Sequence, residues 1–430
     1  MSKLIDQELA ARGVAQVIVF LRPAARPPER RGGAVDARRA PQPIGALARH
    51  FARDPRSQAA ELVRAAPARP LSASQRRGRA RVPRAPGATP GVRYYPQLGV
   101  LLGSATREGI SRLRASADVA RVAGAPSISL IRPRRKRPAR LATTYTWGLK
   151  ALQADRLWRE GWTGAGVLIG HLDTGADGAH PALHGAIESF AEFDDLGRAV
   201  TPGPAAYDTE DHGTHTAATL VGRPVGGRHI GVAPGARLAS AIVIEGGDVV
   251  ARVLGGMDWA VGRGVRVLSL SLGFRGWWDD FRTLTALLRE RGVLPVFAVG
   301  NEGPGTSRSP GNYAEALSVG ACDRERRVAD FSSSQRFPRV RDAIVPDLVA
   351  PGVEVVSAQP GGGYQAMDGS SMATPHVAGL AALLMQARPG RSVEAVEAAL
   401  FASCALPKGT SPERAHRGVP NAVRALAALA

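Results

Sequence analysis

The chain has 430 residues, 44% of them hydrophobic and 50 of them glycine, which is enough to fill a large core and to make many tight turns. Two cysteines exclude a disulfide framework, and no apolar run approaches the ~18 residues that a membrane span needs. We expect Cys322 and Cys404 to be buried free thiols, with a single bridge between them as the alternative.

The formal charge of +19 belongs to the N-terminal third. Residues 1–140 contain 29 Lys and Arg against 8 Asp and Glu. Six basic residues crowd the end of this region: Arg132, Arg134, Arg135, Lys136, Arg137 and Arg140. Such a block could bind nucleic acid or another anionic surface. Only four of the chain's basic residues are lysine, so coding bias toward arginine is the favoured explanation, and because no nucleic-acid motif accompanies the charge, we do not expect nucleic acid as a partner.

Sequence patterns in the first third of the chain predict a small α+β arrangement that is interrupted by irregular stretches. Period-2 apolar patterns predict three strands, at 15–21, 94–102 and 119–122. Amphipathic patterns predict two helices, at 43–66 and 106–116. Segments rich in Arg, Pro, Gly and Ala predict linkers at 22–42 and 67–92. We place a domain boundary after this region, between residues 1–141 and residues 142–430.

The N-terminus does not have the pattern of a secretory signal peptide. Asp6, Glu8 and Arg12 precede a nine-residue apolar run that starts at Gly13, and no small-residue cleavage site follows that run. We therefore expect cytoplasmic residence, with secretion as the alternative.

From Trp147 onward, short apolar strands alternate with helices. The predicted strands lie near 166–172, 237–244, 265–271, 293–299 and 316–320. The predicted helices lie near 150–160, 213–222, 248–262, 279–291 and 372–387. This alternation predicts an α/β fold with a doubly wound, mostly parallel sheet and helices on both faces.

Three polar side chains occupy positions typical of nucleophilic catalysis. Asp173 follows a buried strand at its C-terminal edge, His212 opens a helix of small residues, and Ser371 opens an apolar helix. Unpaired N–H groups at a helix N-terminus stabilise negative charge on a substrate oxygen. A serine nucleophile needs a histidine base and a carboxylate that orients the base. Each residue alone is more often structural, but together they predict a triad.

The histidine segment has a second interpretation. Two histidines and two carboxylates lie close together in the sequence and could ligate a metal: Asp208, Asp211, His212 and His215. The triad interpretation is favoured, because small residues follow His215 and no further cluster of ligands appears.

The order Asp, His, Ser and the segments around these residues resemble the subtilisin-like serine proteases, or subtilases. The phrases at 231–236, 330–334 and 346–352 extend the resemblance over about residues 146–402. It implies that Asn301 and the Ser371 N–H bind the oxyanion of an acyl-transfer reaction. It also implies that an edge strand with Ser271, Leu272 and Gly273 pairs with a peptide or protein substrate.

The N-terminal third looks like the inhibitory propeptide of that family, enlarged by insertions. The tail from Arg132 to Thr144 would then enter the cleft as a product-like strand. The resemblance implies a monomeric serine endopeptidase that is made as a self-inhibited proenzyme. The rival is a non-catalytic peptide- or nucleic-acid-binding protein that uses the basic region.

Two departures from secreted subtilisins affect ligands and specificity. Ala182 and Val225 occupy positions where those proteins have calcium ligands, so we expect no metal and no cofactor. Arg308 falls where the family has a small residue at the floor of the first specificity pocket. A floor arginine would favour an acidic residue before the cut, which Glu302 at the rim would oppose. The favoured interpretation is nevertheless a loop arginine that faces solvent, because loop lengths can differ between family members.

Overall fold

The computed structural model describes residues 3–22, 42–52, 92–194, 197–200, 205–244, 248–337 and 343–429. The chain divides into two compact units, Met1–Ser127 and Ile128–Ala430. Residues 128–141, which the sequence grouped with the N-terminal region, belong to the second unit. Most of each predicted linker lies outside the described residues, and so does most of the predicted helix 43–66.

The first unit contains a four-stranded antiparallel sheet. Its strands, in spatial order, are Arg93–Tyr95, Val100–Thr106, Val14–Leu21 and Val119–Gly124. Its helices are Lys3–Arg12, Gln42–Ala48 and Arg107–Ala115. The helix predicted at 106–116 is present, because the Thr106 hydroxyl accepts from the Gly109 N–H at 3.2 Å and caps the first turn.

Two details of the first unit differ from the sequence-based expectation. The strand expected over 94–102 is a hairpin, because the chain turns before Gly99, which adopts a left-handed φ of 63°. The helix Lys3–Arg12 was not predicted. It buries Ile5 and Leu9, four residues apart on one face, among polar residues that mask the pattern.

The second unit contains an eight-stranded sheet. In spatial order its strands are Leu348–Pro351, Leu317–Cys322, Leu294–Ala298, Val267–Leu270, Leu168–Asp173, Arg237–Ile242, Ile187–Phe193 and Ala199–Val200. All neighbours are parallel except the last pair. Helices follow at Trp147–Leu152, Ala154–Arg159, His212–Val221, Val249–Gly262, Arg282–Glu290, Ser370–Ala387, Val393–Ser403, Pro412–Ala415 and Ala422–Ala428. The predicted fold class is confirmed.

Small sheets lie outside the central sheet of the second unit. In one, Leu272–Arg275 lies between Arg308–Ser309 and Ser129–Leu130. In another, Tyr364–Asp368 lies between Val355–Ala358 and Arg135–Ala139. Gln335–Arg336 and Ile344–Val345 form a two-stranded sheet.

Local backbone geometry explains one break in the helices. The sequence predicts one helix over 150–160, but the structure has two short helices that meet at Gln153. This residue adopts a left-handed φ of 57°, which ends the first helix. In the described ranges, no helix combines the length and the apolar character that crossing a bilayer requires.

Candidate active site

Asp173 and His212 form a buried pair at the C-terminal edge of the central sheet. The strand Leu168–Asp173 ends at the carboxylate, and the helix His212–Val221 begins at the imidazole. His212 Nδ1 lies 2.7 Å from Asp173 Oδ1, and both side chains are only 2% exposed. The Thr174 N–H donates to the same carboxylate oxygen at 2.8 Å. The carboxylate therefore fixes the tautomer that leaves Nε2 available as a base.

Each member of this pair shifts the pKa of the other. Burial acts to raise the pKa of Asp173, but the His212 ring, together with His171 and the Thr174 N–H, holds that pKa below its usual value. Burial acts to lower the pKa of His212, but the charge and hydrogen bond of Asp173, together with the charges of Asp208 and Glu210, hold that pKa above its usual value. A carboxylate that stays ionised beside a strengthened imidazole base is the pairing that general-base catalysis requires.

His171 is a residue of this site that the sequence analysis did not select. Its Nδ1 lies 3.0 Å from Ser240 Oγ, and its Nε2 lies 2.9 Å from Thr216 Oγ1. The Thr216 hydroxyl lies 3.4 Å from Asp173 Oδ2, so it links His171 to the carboxylate. Because side chains two apart in a strand share a face, the spacing of His171 and Asp173 could have indicated this contact.

Ser371 lies in the first turn of the long helix Ser370–Ala387 and is fully buried. Its carbonyl accepts from the Ser271 hydroxyl at 3.1 Å. Ser271 directly follows Leu270, which is paired with Leu172 beside Asp173. The structure therefore brings the predicted nucleophile to the sheet edge that carries the predicted carboxylate.

Asn301 lies beside the same helix start. Its Oδ1 accepts from both the N–H and the hydroxyl of Ser370, each at 2.9 Å. These two bonds orient the amide so that Nδ2 is free to donate into the cleft. There Nδ2 donates to the carbonyl of Arg132 at 2.9 Å. The predicted oxyanion donor thus binds a peptide carbonyl in this structure.

An extended stretch of the chain, residues 128–139, occupies the cleft; we call it the cleft segment. It pairs with the edge strand as predicted for a bound peptide: Ser129 opposes Gly273, and Leu130 opposes Leu272. The Ile131 side chain is fully buried. The segment then continues as the strand Arg135–Ala139.

Three exposed ion pairs join the cleft segment to acidic residues of the cleft. Arg132 forms two hydrogen bonds with Glu210, at 2.8 and 2.9 Å. The other two pairs are Lys136 with Asp211 and Arg137 with Glu354. The segment carries most of the basic run noted in the sequence, so a substantial part of that charge faces acidic residues of the same unit.

Arg308 lies in the short strand that pairs with the other side of Leu272–Arg275 and is 8% exposed in its side chain. Glu302 holds its guanidinium, with contacts of 3.0 Å to Nε and 2.5 Å to Nη2. Nη1 also lies 3.1 Å from the Ser129 hydroxyl of the cleft segment. Arg308 therefore does not face solvent, and its charge is offset by an adjacent carboxylate.

The side chains considered as metal ligands have protein partners. Asp208 accepts from the hydroxyls of Thr174 at 2.8 Å and Thr214 at 2.6 Å. His215 Nε2 lies 2.9 Å from the Val355 carbonyl oxygen, which requires Nε2 to donate. Within the described ranges, no group of three His, Cys, Asp or Glu side chains could hold a metal ion.

Both cysteines are free thiols, and burial raises the pKa of each to about 12.

Buried neutral histidines make stability depend on pH. Burial lowers the pKa of His215 to about 3 and that of His376 to about 4. Below the unfolded value of ~6.5, the unfolded chain binds protons that the fold excludes. Stability from these residues is therefore complete above pH 6.5 and is lost as the pH falls toward their folded pKa values. Each contributes a slope of up to about 1.4 kcal/mol per pH unit.

We expect His376→Leu to flatten this dependence by about 1 kcal/mol per pH unit between pH 6 and 4.5. Urea unfolding at each pH measures the free energy of unfolding of the wild type and of the variant. His184→Gln, at an exposed histidine, is the matched control. An unaltered slope in His376→Leu would contradict the assignment of a neutral buried ring.

Comparison with known sequences gives the family of this domain. The profile of the Subtilase family matches residues 164–422. M-protease of Shouchella clausii (strain KSM-K16) is 38% identical over 255 residues, which cover 59% of this chain and 62% of that protein. Subtilisin Savinase of Lederbergia lenta is 38% identical over 254 residues, covering 58% and 88%. Bacillopeptidase F of Bacillus subtilis (strain 168) is 32% identical over 306 residues, covering 63% and 21%.

The chain belongs to the subtilase family and contains a subtilisin-like serine peptidase domain. It spans less than two thirds of the length of M-protease and about a fifth of bacillopeptidase F.

Proposed function

We propose that the chain is a serine endopeptidase in which Ser371 is the nucleophile, His212 the base and Asp173 the residue that orients the base. Ser371 Oγ attacks the scissile carbonyl carbon, and His212 Nε2 takes its proton and returns it to the leaving nitrogen. Asn301 Nδ2 and the Ser371 N–H stabilise the oxyanion. Water then hydrolyses the acyl-enzyme. The observation that carries the proposal is the buried bond between Asp173 and His212, beside a helix that begins with Ser370 and Ser371.

We also propose that the chain is a proenzyme that inhibits itself through the cleft segment. The segment pairs with Leu272 and Gly273, where a substrate backbone would pair, and its carbonyls contact Ser371 and Asn301. A substrate cannot bind until this segment leaves. Substrates are expected to be extended peptides that add a strand at the same edge.

Covalent labelling tests the nucleophile. The variant Ile131→Asp places a charge at a fully buried position and should expel the segment, because an unpaired buried charge costs several kcal/mol. We expect a fluorophosphonate to label this variant at Ser371, as located by peptide mass spectrometry, and to label the wild type more slowly. Ser371→Ala in the same background should remain unlabelled. Labelling at another serine would refute the assignment of Ser371, and absence of labelling would support the non-catalytic alternative.

Specificity before the cut depends on the pair of Arg308 and Glu302. Because Glu302 offsets the Arg308 guanidinium, we expect the opened Ile131→Asp enzyme to prefer substrates with an apolar residue directly before the cut. In the wild type, the apolar Ile131 of the cleft segment occupies that position. Arg308→Gly removes the nearer cation and leaves the Glu302 carboxylate with the exposed Arg275 at 3.8 Å, so it should shift the preference toward Lys and Arg. Peptide-library profiling measures this, with the exposed Arg336→Gly as control. An identical profile for Arg308→Gly would remove Arg308 from the specificity pocket.

A further inference from the structure

The cleft segment follows a substrate path up to the nucleophile. The pairing of Ser129 and Leu130 with the edge strand continues with the Ile131 N–H, which donates to the Ser271 carbonyl at 2.9 Å. Ser371 Oγ then donates to the Ile131 carbonyl oxygen at 2.5 Å. On this side of the cleft, Ile131 occupies the position of the residue before the cut.

Beyond the nucleophile the segment is displaced by one residue. Asn301 Nδ2 binds the carbonyl of Arg132, not that of Ile131. The next residue is Pro133, which has no N–H. The Arg134 N–H therefore makes the following contact, with the Asp368 carbonyl at 2.7 Å. From there Arg135–Ala139 pairs with Tyr364–Asp368 in a continuous antiparallel register.

These contacts divide the catalytic groups between two consecutive carbonyls. In a productive complex, the carbonyl whose carbon is attacked must also place its oxygen on the oxyanion donor. Here the nucleophile contacts one carbonyl and Asn301 the next. In addition, His212 Nε2 is buried without a hydrogen-bond partner, because the Ser371 hydroxyl donates to Ile131 and not to the base. Neither peptide bond flanking Arg132 is in position for attack.

We propose that the cleft segment is an inhibitor that the enzyme does not cut, because it is one residue too long between its two strand pairings and Pro133 is the additional residue. The inference rests on the proposed peptidase function and adds a mode of regulation to it. Self-inhibition then persists in the intact chain. Activation requires either that the segment is displaced from the cleft or that a different catalytic centre cuts it.

Deletion of Pro133 should convert the inhibitor into a substrate. Ile131 and Arg134 would keep their contacts on either side, with Arg132 alone between them. The Ile131 carbonyl could then reach both Ser371 and Asn301. Ser371 Oγ would bond to the Ile131 carbon, the bond to the Arg132 nitrogen would break, and His212 would pass the proton to that nitrogen. Water would release the acyl-enzyme and leave a new N-terminus at Arg132.

Intact-mass analysis and N-terminal sequencing of the purified full chain test this. The Pro133 deletion should be cut between Ile131 and Arg132, and the same deletion with Ser371→Ala should stay intact. Pro133→Ala keeps the length and is the matched control, so it should remain uncut like the wild type. Cutting of Pro133→Ala as fast as the deletion, or cutting of the wild type at either bond of Arg132, would overturn the proposal.

A synthetic peptide of residues 126–141 gives a readout that does not depend on the folding of the deletion variant. Added to the Ile131→Asp enzyme, it should inhibit and remain intact. The peptide without Pro133 should be hydrolysed at least ~100-fold faster, the scale set by the loss of one oxyanion donor. Equal resistance of the two peptides, with an enzyme that is labelled at Ser371, would overturn the register argument alone. An unlabelled enzyme would instead refute the proposed function.

Discussion

Replacement of Ser371 by Ala in the opened Ile131→Asp enzyme should lower kcat/KM for a peptide substrate by about 10⁴- to 10⁶-fold, the range known for triads of this class. The loss is large because the Ser371 hydroxyl lies in the first turn of the helix and contacts a carbonyl oxygen of the cleft segment. His212→Ala should cost about as much. The double variant should cost little more, since residues that act as a unit are not additive.

The variant Asp173→Asn tests whether the carboxylate orients the His212 ring. It keeps the size of the side chain but removes the charge that holds the His212 tautomer, and a loss of about 10⁴-fold is expected. Peptide hydrolysis should be measured beside urea unfolding, so that loss of folding is separated from loss of chemistry. Ser371→Ala that hydrolysed peptide at the rate of its parent would refute the assignment of the nucleophile.

Local sequence patterns predicted five of the eight strands of the central sheet and the positions of Asp173 and His212 at its edge, but not the strands Ile187–Phe193 and Ala199–Val200. Asp173 and His212 could be assigned because each lies where a short apolar element begins or ends, and such ends meet at one edge of a parallel sheet. The strand Leu348–Pro351 was not predicted. It is only four residues long, ends at Pro351 and begins two residues after Pro346, so the local signal was weak, although parallel pairing with Leu317–Cys322 stabilises it.

Side-chain partners across the fold could not be predicted from the sequence. The basic run at 132–140 indicated nothing about Glu210, Asp211 and Glu354, because these acidic residues are separated from it by about 75 to 217 positions. Arg308 illustrates the same limit. The resemblance placed it at the pocket floor, but only the structure pairs it with Glu302. The register of the cleft segment could not be predicted either, because it depends on contacts at both ends of the segment.

Removal of the segment from the cleft is the second change for which we expect a large effect on activity. We expect Ile131→Asp to raise the activity of the full chain toward a peptide substrate by at least ~100-fold, because burial of an unpaired carboxylate costs several kcal/mol and each 1.4 kcal/mol is tenfold. Ile131→Val is the matched control. It keeps an apolar side chain, loses about 0.5–1.5 kcal/mol, and should raise activity by about tenfold or less.

The apolar contacts at Leu130 and Ile131 should hold the segment more strongly than its ion pairs do. Both side chains are buried, at 6% and 0% exposure, and burial of such a side chain stabilises by about 1.5–3 kcal/mol. The ion pairs of Arg132, Lys136 and Arg137 are exposed, and each contributes about 0–1 kcal/mol. Raising the salt concentration to ~1 M should therefore activate the wild type less than Ile131→Asp does, since salt screens only the exposed pairs. Activation by salt that equals the effect of Ile131→Asp would mean that charge, and not the buried anchor, keeps the cleft closed.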